Sequence, residues 1–181
     1  MPRKTIPREH DALVLLARDH DAIRELFREY HQLMKRQGDH DRKAEVVGEI
    51  CMELSIHLQI EEEIFHPAVR TSLGPDALMA DAVCEHVDAK ELIATLDELE
   101  PGDAGYDTTV VSLCACVVPH MNEEQEDVFP KVRMAGLDTA ALGRQLAQRQ
   151  KTLHEDVTRV GLPHSRADAS TWPAACRVVL S

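Results

Sequence analysis

Two segments of the chain repeat one pattern: His57-Leu58-Gln59-Ile60-Glu61-Glu62-Glu63 and His120-Met121-Asn122-Glu123-Glu124-Gln125-Glu126, with Pro67 and Pro130 ten residues after their histidines. Residues four apart lie one above the other on a face of an α-helix, so each copy turns an imidazole and a carboxylate toward a shared point. An ionised carboxylate is costly to bury unless a charge compensates it. A chain with two such pairs is constrained to be helical at both, to bring the two helices together, and to bind a cation where they meet.

The rest of the sequence agrees with helix. Apolar residues make up 44% of the 181 and aromatics only 3%, a composition of Leu/Ala/Glu-rich helices rather than of a β-sandwich. Apolar residues recur at three- and four-residue steps. The first helix is expected over Glu9 to Lys35, with Leu13, Leu16, Ala17, His20, Ile23, Phe27 and Tyr30 on one face, and Gly38-Asp39 ending it. A second runs from Asp41 to Val69, with Ile50, Leu54, His57, Glu61, Ile64 and Ala68 aligned and Pro67 bending or ending its last turn. Pro75 opens a third, to Leu99, carrying Val83, His86, Lys90 and Ile93. After the loop from Pro101 to Gly105, a fourth spans Asp107 to Met134 with Val110, Leu113, Val117, His120 and Glu124 on one side, and Pro119 predicts a bend within it. Asp138, a good N-cap, starts a fifth that reaches Val160 before Gly161 and Pro163. The fold class is therefore all-α: an antiparallel up-down-up-down four-helix bundle with an additional C-terminal helix, one domain over residues 1–164, and an irregular tail over 165–181.

His20 and His86 supply imidazoles from the other two helices. At 1.5 Å of rise per residue, His20 lies about 27 Å before the turn at Gly38 and His57 about 28 Å after it. Glu61 is about 20 Å before Gly74 and His86 about 18 Å after, while His86 and His120 each stand about 26 Å from Asp103. The expected metal ligands, His20, His57, Glu61, His86, His120 and Glu124, thus share one level at mid-bundle. Four imidazoles and two carboxylates are too many for one tetrahedral zinc and suit two octahedral ions with open positions. A nitrogen and oxygen set without thiolate places iron ahead of manganese and zinc.

Other polar residues receive plainer readings. His10, His31, His40, His66, His154 and His164 have no partner at ligand spacing and are read as solvent-facing or capping. Glu62, Glu63, Glu123 and Glu126 are solvated or support the ligands, and Lys90 either pairs with a carboxylate near the site or reaches the surface. Cys51, Cys84, Cys114, Cys116 and Cys176 form no Cys-x-x-Cys pair and are read as reduced thiols in or near the core. The net charge of -12 opposes phosphate backbones and anionic lipid, which argues against nucleic acid and membrane as partners. With no apolar run of membrane-spanning length and no apolar core after Met1-Pro2-Arg3-Lys4, a cytoplasmic location is expected.

From Asp11 to Arg133 the sequence resembles the hemerythrin-like, or HHE cation-binding, family. The resemblance is carried by Leu16-Ala17-Arg18-Asp19-His20 with Leu26-Phe27, by His57-x-x-x-Glu61-Glu62 ending at Pro67, by Glu85-His86, and by His120-x-x-x-Glu124 ending at Phe129-Pro130. It implies a left-twisted four-helix bundle around an oxo- or hydroxo-bridged pair of iron ions, with Glu61 and Glu124 as bridging carboxylates. The oxygen-carrying hemerythrins of marine invertebrates have His-x-x-x-His on the third helix, where this chain has Lys90, and His-x-x-x-x-Asp on the fourth, where it has Glu124 followed by Gln125. One imidazole of their set is thus missing. The pattern is similar to mycobacterial hemerythrin-like proteins that decompose peroxide and to the iron-sensing domain of a eukaryotic F-box protein.

Two functions follow as expectations. One is a non-haem di-iron enzyme that disproportionates peroxide, with Lys90, Tyr30 or Glu123 as proton donor if any of them faces inward. The other is a module that binds or senses oxygen, nitric oxide or iron without turnover, since metal ligands pack poorly without metal and binding then couples to folding.

Overall fold

In a computed structural model of the chain, residues 11–36, 39–74 and 77–160 are described, those at 77–81 and 160 by their backbone alone. Gly38, Pro75, His10, Gly161, Pro163, His164, Cys176 and the expected tail over 165–181 lie outside the described residues. The Asp11 carboxylate accepts from the Leu13 N–H and starts α1, Ala12–Met34, whose buried stripe is Leu13, Leu16, His20, Ile23, Phe27, Tyr30 and Leu33. Asp39 caps α2, His40–Ile60, in the same way through the Arg42 N–H.

Pro67 does not end the second helix. The backbone passes from α2 through a π turn, Glu61–Phe65, into α3, His66–Leu73. Proline lacks an N–H, and its ring crowds the carbonyl four residues back, which strains a regular α turn. A turn widened by one residue relieves the crowding. The chain repeats this solution before Pro130: α5, Tyr106–Glu123, leads through a π turn, Glu124–Val128, into α6, Phe129–Met134. Pro119 sits inside α5, which is helical throughout. The antiparallel partner of α5 is α4, Ala77–Asp97, and α7, Thr139–Val160, follows the Asp138 cap. No strand is present among the described residues.

Contacts run α1 to α2, α2 to α4, α4 to α5 and α5 back to α1, closing the up-down-up-down bundle. α7 packs along α1, α2 and the first π turn. Its position explains a run that a four-helix bundle would not bury: Leu54 to Glu61 is enclosed on every side, Ser55 and Gln59 included. On α4 the buried face is Ala82, His86, Ala89, Ile93 and Leu96, so Val83, at 45% exposure, stands off the expected stripe. Cys51 is buried and Cys114 and Cys116 are half-buried, but Cys84 is exposed rather than near the core. No helix among the described residues is long and apolar enough to cross a membrane.

Two apolar clusters fill the interior. One includes Ile23, Phe27, Ile50, Leu54, Ile93, Val110 and Leu113. The other includes Leu13, Leu16, Ile60, Phe65, Val128, Phe129 and Leu146. His20, His57, Glu61, His66, His86, His120 and Glu124, all buried, form a polar layer between them.

Candidate metal centre

α1 contributes His20 from its middle, α4 contributes His86, and α2 and α5 contribute His57 and His120 from their last turns. Glu61 and Glu124 open the two π turns. The fold brings all six sequence-predicted residues together. The Nε2 atoms pair across helices, His20 with His57 at 3.0 Å and His86 with His120 at 3.1 Å. Glu61 lies between the pairs. Its Oε1 is 3.2 Å from His57 Nε2 and 3.9 Å from His20 Nε2, and its Oε2 is 3.4 Å from His86 Nε2 and 3.9 Å from His120 Nε2. Glu124 Oε2 is 3.3 Å from His20 Nε2.

All four oxygens of Glu61 and Glu124 are buried without a hydrogen-bond partner. Leaving such acceptors unsatisfied costs about 1–3 kcal/mol each, more when charged, so the arrangement asks for a cation. Protonated imidazoles serve in its place in the metal-free protein. Burial opposes a charged His57, yet Glu61 and Asp19 outweigh it and hold His57 above its ordinary value. Burial likewise opposes His120, but Glu61, Glu124 and Glu85 raise it to about 9. His20 goes the other way, depressed chiefly by burial. Glu61, despite full burial, is held well below the usual carboxylate range by His57, His120 and His86.

A further set of carboxylates orients the rings from behind. His86 Nδ1 donates to Glu62 Oε1 at 3.0 Å, and His120 Nδ1 to Glu85 Oε2 at 2.9 Å. With Nδ1 carrying the hydrogen, Nε2 is directed to the centre as a ligand atom. Lys90, its Nζ 2.8 and 2.7 Å from the Glu62 oxygens, pairs with that carboxylate. Burial works against ionised Glu62, but His86 and Lys90 prevail and bring it down to about 2. Asp19 lies 3.7 Å from His57 Nδ1 and is held by Gln150 of α7 at 2.9 Å. α7 also fixes Glu63 through Arg149, at 2.7 and 2.9 Å.

One residue of the centre is absent from the sequence-predicted set. His66, read above as solvent-facing or capping, is buried, and its ring nitrogen, a Glu61 oxygen and a His86 nitrogen lie within 4.8 Å of one another. Five residues after Glu61 it would leave the α face, but the π turn, in which the His66 N–H bonds the Glu61 carbonyl, restores it. The signal in the sequence was the proline that follows it. Of the other histidines, His31 and His40 are exposed, and His154 bonds Glu53 at 3.2 Å away from the centre.

The family model for the hemerythrin HHE cation-binding domain matches residues 11–132. The chain belongs to this family. As an HHE domain it is a cation-binding domain, and the His and Glu clusters supply the donors. The fold is shared with the crystal structure of an HHE cation-binding domain-containing protein from Mycobacterium kansasii, at a TM-score of 0.71 and 21% identity, over 93% of this chain and 98% of that one. A DNA nickase from Nostoc sp. (strain PCC 7120 / SAG 25.82 / UTEX 2576) is 26% identical over 115 residues, 64% of this chain. The HHE chain spans 31% of that relative's length.

Proposed function

We propose that this HHE domain holds two iron ions between its histidine pairs and exposes them to a small oxygen species, with peroxide as the substrate it turns over. His20 and His57 would hold one ion and His86 and His120 the other, with Glu61 and Glu124 as the carboxylates available to both. The observation that carries this reading is Glu61: fully buried, without a hydrogen bond, and with its two oxygens facing different histidine pairs. The donor set, nitrogen and oxygen without thiolate, fits iron better than zinc or copper. When bound, a redox-active pair supplies Lewis acidity and electron exchange to a small oxygen ligand.

The chain's own residues do the rest. Glu62 and Glu85 hold the His86 and His120 imidazoles in orientation, and the Asp19 carboxylate stands 3.7 Å behind His57. Phe65 and Phe129, buried beside the polar layer, keep bulk water out. Of the three candidate proton donors, Tyr30 donates its hydroxyl to Asp107, about 15 Å along α1 from His20, and Glu123 is exposed. Lys90 pairs with Glu62, the carboxylate that accepts from His86 Nδ1, so it acts on the centre as a charge that steadies this ligand and not as a donor to bound peroxide. A net charge of -12 opposes phosphate backbones, so the activity in the nickase's name is not carried over to this chain.

A second reading, a sensor in which iron decides whether the bundle is stable, is favoured by the buried Glu61 and Glu124 oxygens and His66 Nε2, which lack a hydrogen-bond partner among the described residues. Elemental analysis and visible spectroscopy of the purified protein, before and after peroxide, separate the readings. Two irons per chain with oxygen evolved support the enzyme. Iron without turnover, and large loss of helix on chelation, move the assignment to the sensor. A protein that takes up no iron after anaerobic reconstitution refutes both.

A further inference from the structure

The two copies of the internal repeat differ in the residue that covers the centre. The residue before each proline is His66 in the first copy and Phe129 in the second. Both occupy the same place in the backbone, since each donates its N–H to the carbonyl of the repeat's glutamate, Glu61 or Glu124, across a π turn. Both are 4% exposed. Each covers one half of the centre: the Phe129 ring stacks on His20 with centroids 6.2 Å apart and planes at 13°, and the His66 ring leans on His86 at 5.1 Å and 36°. The two differ in chemistry. A phenyl ring is satisfied by the apolar cluster around it, whereas His66 Nε2 is buried with no hydrogen-bond partner, 3.8 Å from Glu124 Oε1. A buried imidazole nitrogen beside two carboxylates is a costly thing to leave unpaired, and a cation among those groups would pair it.

We propose that His66 is a seventh protein ligand, bound to the ion of the His86 and His120 half, and that Phe129 denies the His20 and His57 half a counterpart. The proposal rests on the two-ion reading above. It makes the positions unequal. With both carboxylates shared, one ion has two imidazoles and the other three, so the more open position lies at His20 and His57. The imidazole that Lys90 does not provide on α4 is thereby restored from the adjoining helix.

The test is Mössbauer spectroscopy of protein reconstituted with ⁵⁷Fe, with iron content and loss to a chelator, on the wild type and on His66→Phe, which copies the residue of the second repeat. Two iron environments of equal population are expected in the wild type. In His66→Phe they should converge, and one of the two irons should be lost to the chelator at least about tenfold faster. The metal-free variant should be no less stable than the metal-free wild type, because the change removes an unsatisfied nitrogen and keeps a ring of similar size. His66→Gly, supplied with free imidazole, should regain the wild-type spectrum if it folds. A residue that merely packs would give the reverse: an unchanged spectrum and iron loss rate, with a destabilised metal-free protein. That result, with two irons still bound, overturns the role of His66 alone, whereas a wild type without iron overturns the two-ion reading beneath it.

Discussion

Raising the pH should push the metal-free and metal-loaded proteins in opposite directions, because His120 serves a different purpose in each. Without metal, its imidazolium compensates Glu61, and its pKa stands at about 9 against an ordinary value of 6.5. A group whose folded value is raised contributes stability that is fully present below the unfolded value and is lost as the pH climbs through the folded one. The metal-free bundle should therefore lose on the order of 3 kcal/mol between about pH 6.5 and pH 9 from His120, and His57, also raised, acts in the same direction. His20 is depressed and so works the other way, adding a little stability at the low end of the window as its unfolded form gives up a proton near pH 6.5. A ligating imidazole must be free of its Nε2 proton, so metal affinity should instead rise about tenfold per pH unit for each proton displaced, roughly a hundredfold from pH 7 to pH 9 for His120. Urea unfolding of the metal-free protein at pH 6.5, 7.5 and 9 reads the first slope. Competition with a chelator under anaerobic Fe(II) reads the second. His120→Gln should flatten both. A metal-free stability and an affinity that are each independent of pH over this range would refute the argument that imidazolium stands in for the cation.

Other outcomes can be checked separately. Glu62→Ala removes the acceptor that orients His86 and should weaken iron binding about 10- to 100-fold in chelator competition, with helix content by circular dichroism unchanged. Phe65→Ala empties a fully buried site where Phe65 meets Phe129 edge to face at 5.9 Å, and should cost about 3–5 kcal/mol in urea unfolding. Gly102, in the loop before α5, has φ of +105°, and a Cβ there would come within 3.0 Å of the His40 ring. Gly102→Ala should therefore destabilise by about 1–3 kcal/mol.

The bundle and six residues of its centre were legible in the sequence because both depend on local geometry that repeats. Four-residue spacing fixes that His57 and Glu61 share a face, as do His120 and Glu124, whatever surrounds them. Constant helical rise put His20 and His86 at the level where the structure has them beside those pairs. The side chain of Asp138, expected to cap the last helix, does accept from the Ala141 N–H. What the spacing could not supply was the choice of hydrogen-bond partner beside a proline. Extending the α period past Glu61 sends His66 outward and ends the helix at Pro67. In the folded chain the His66 N–H reaches five residues back, and that single wider turn carries the imidazole into the core. Tertiary contact decided the supporting residues as well. Glu62 could have remained solvated until α4 brought His86 and Lys90 to it, and Asp19 and Glu63 acquire their partners from α7, more than eighty residues away in the chain. Periodicity describes one helix at a time. Which carbonyl a displaced N–H finds, and which charges meet across helices, is settled when the helices pack and unpaired polar groups must be satisfied.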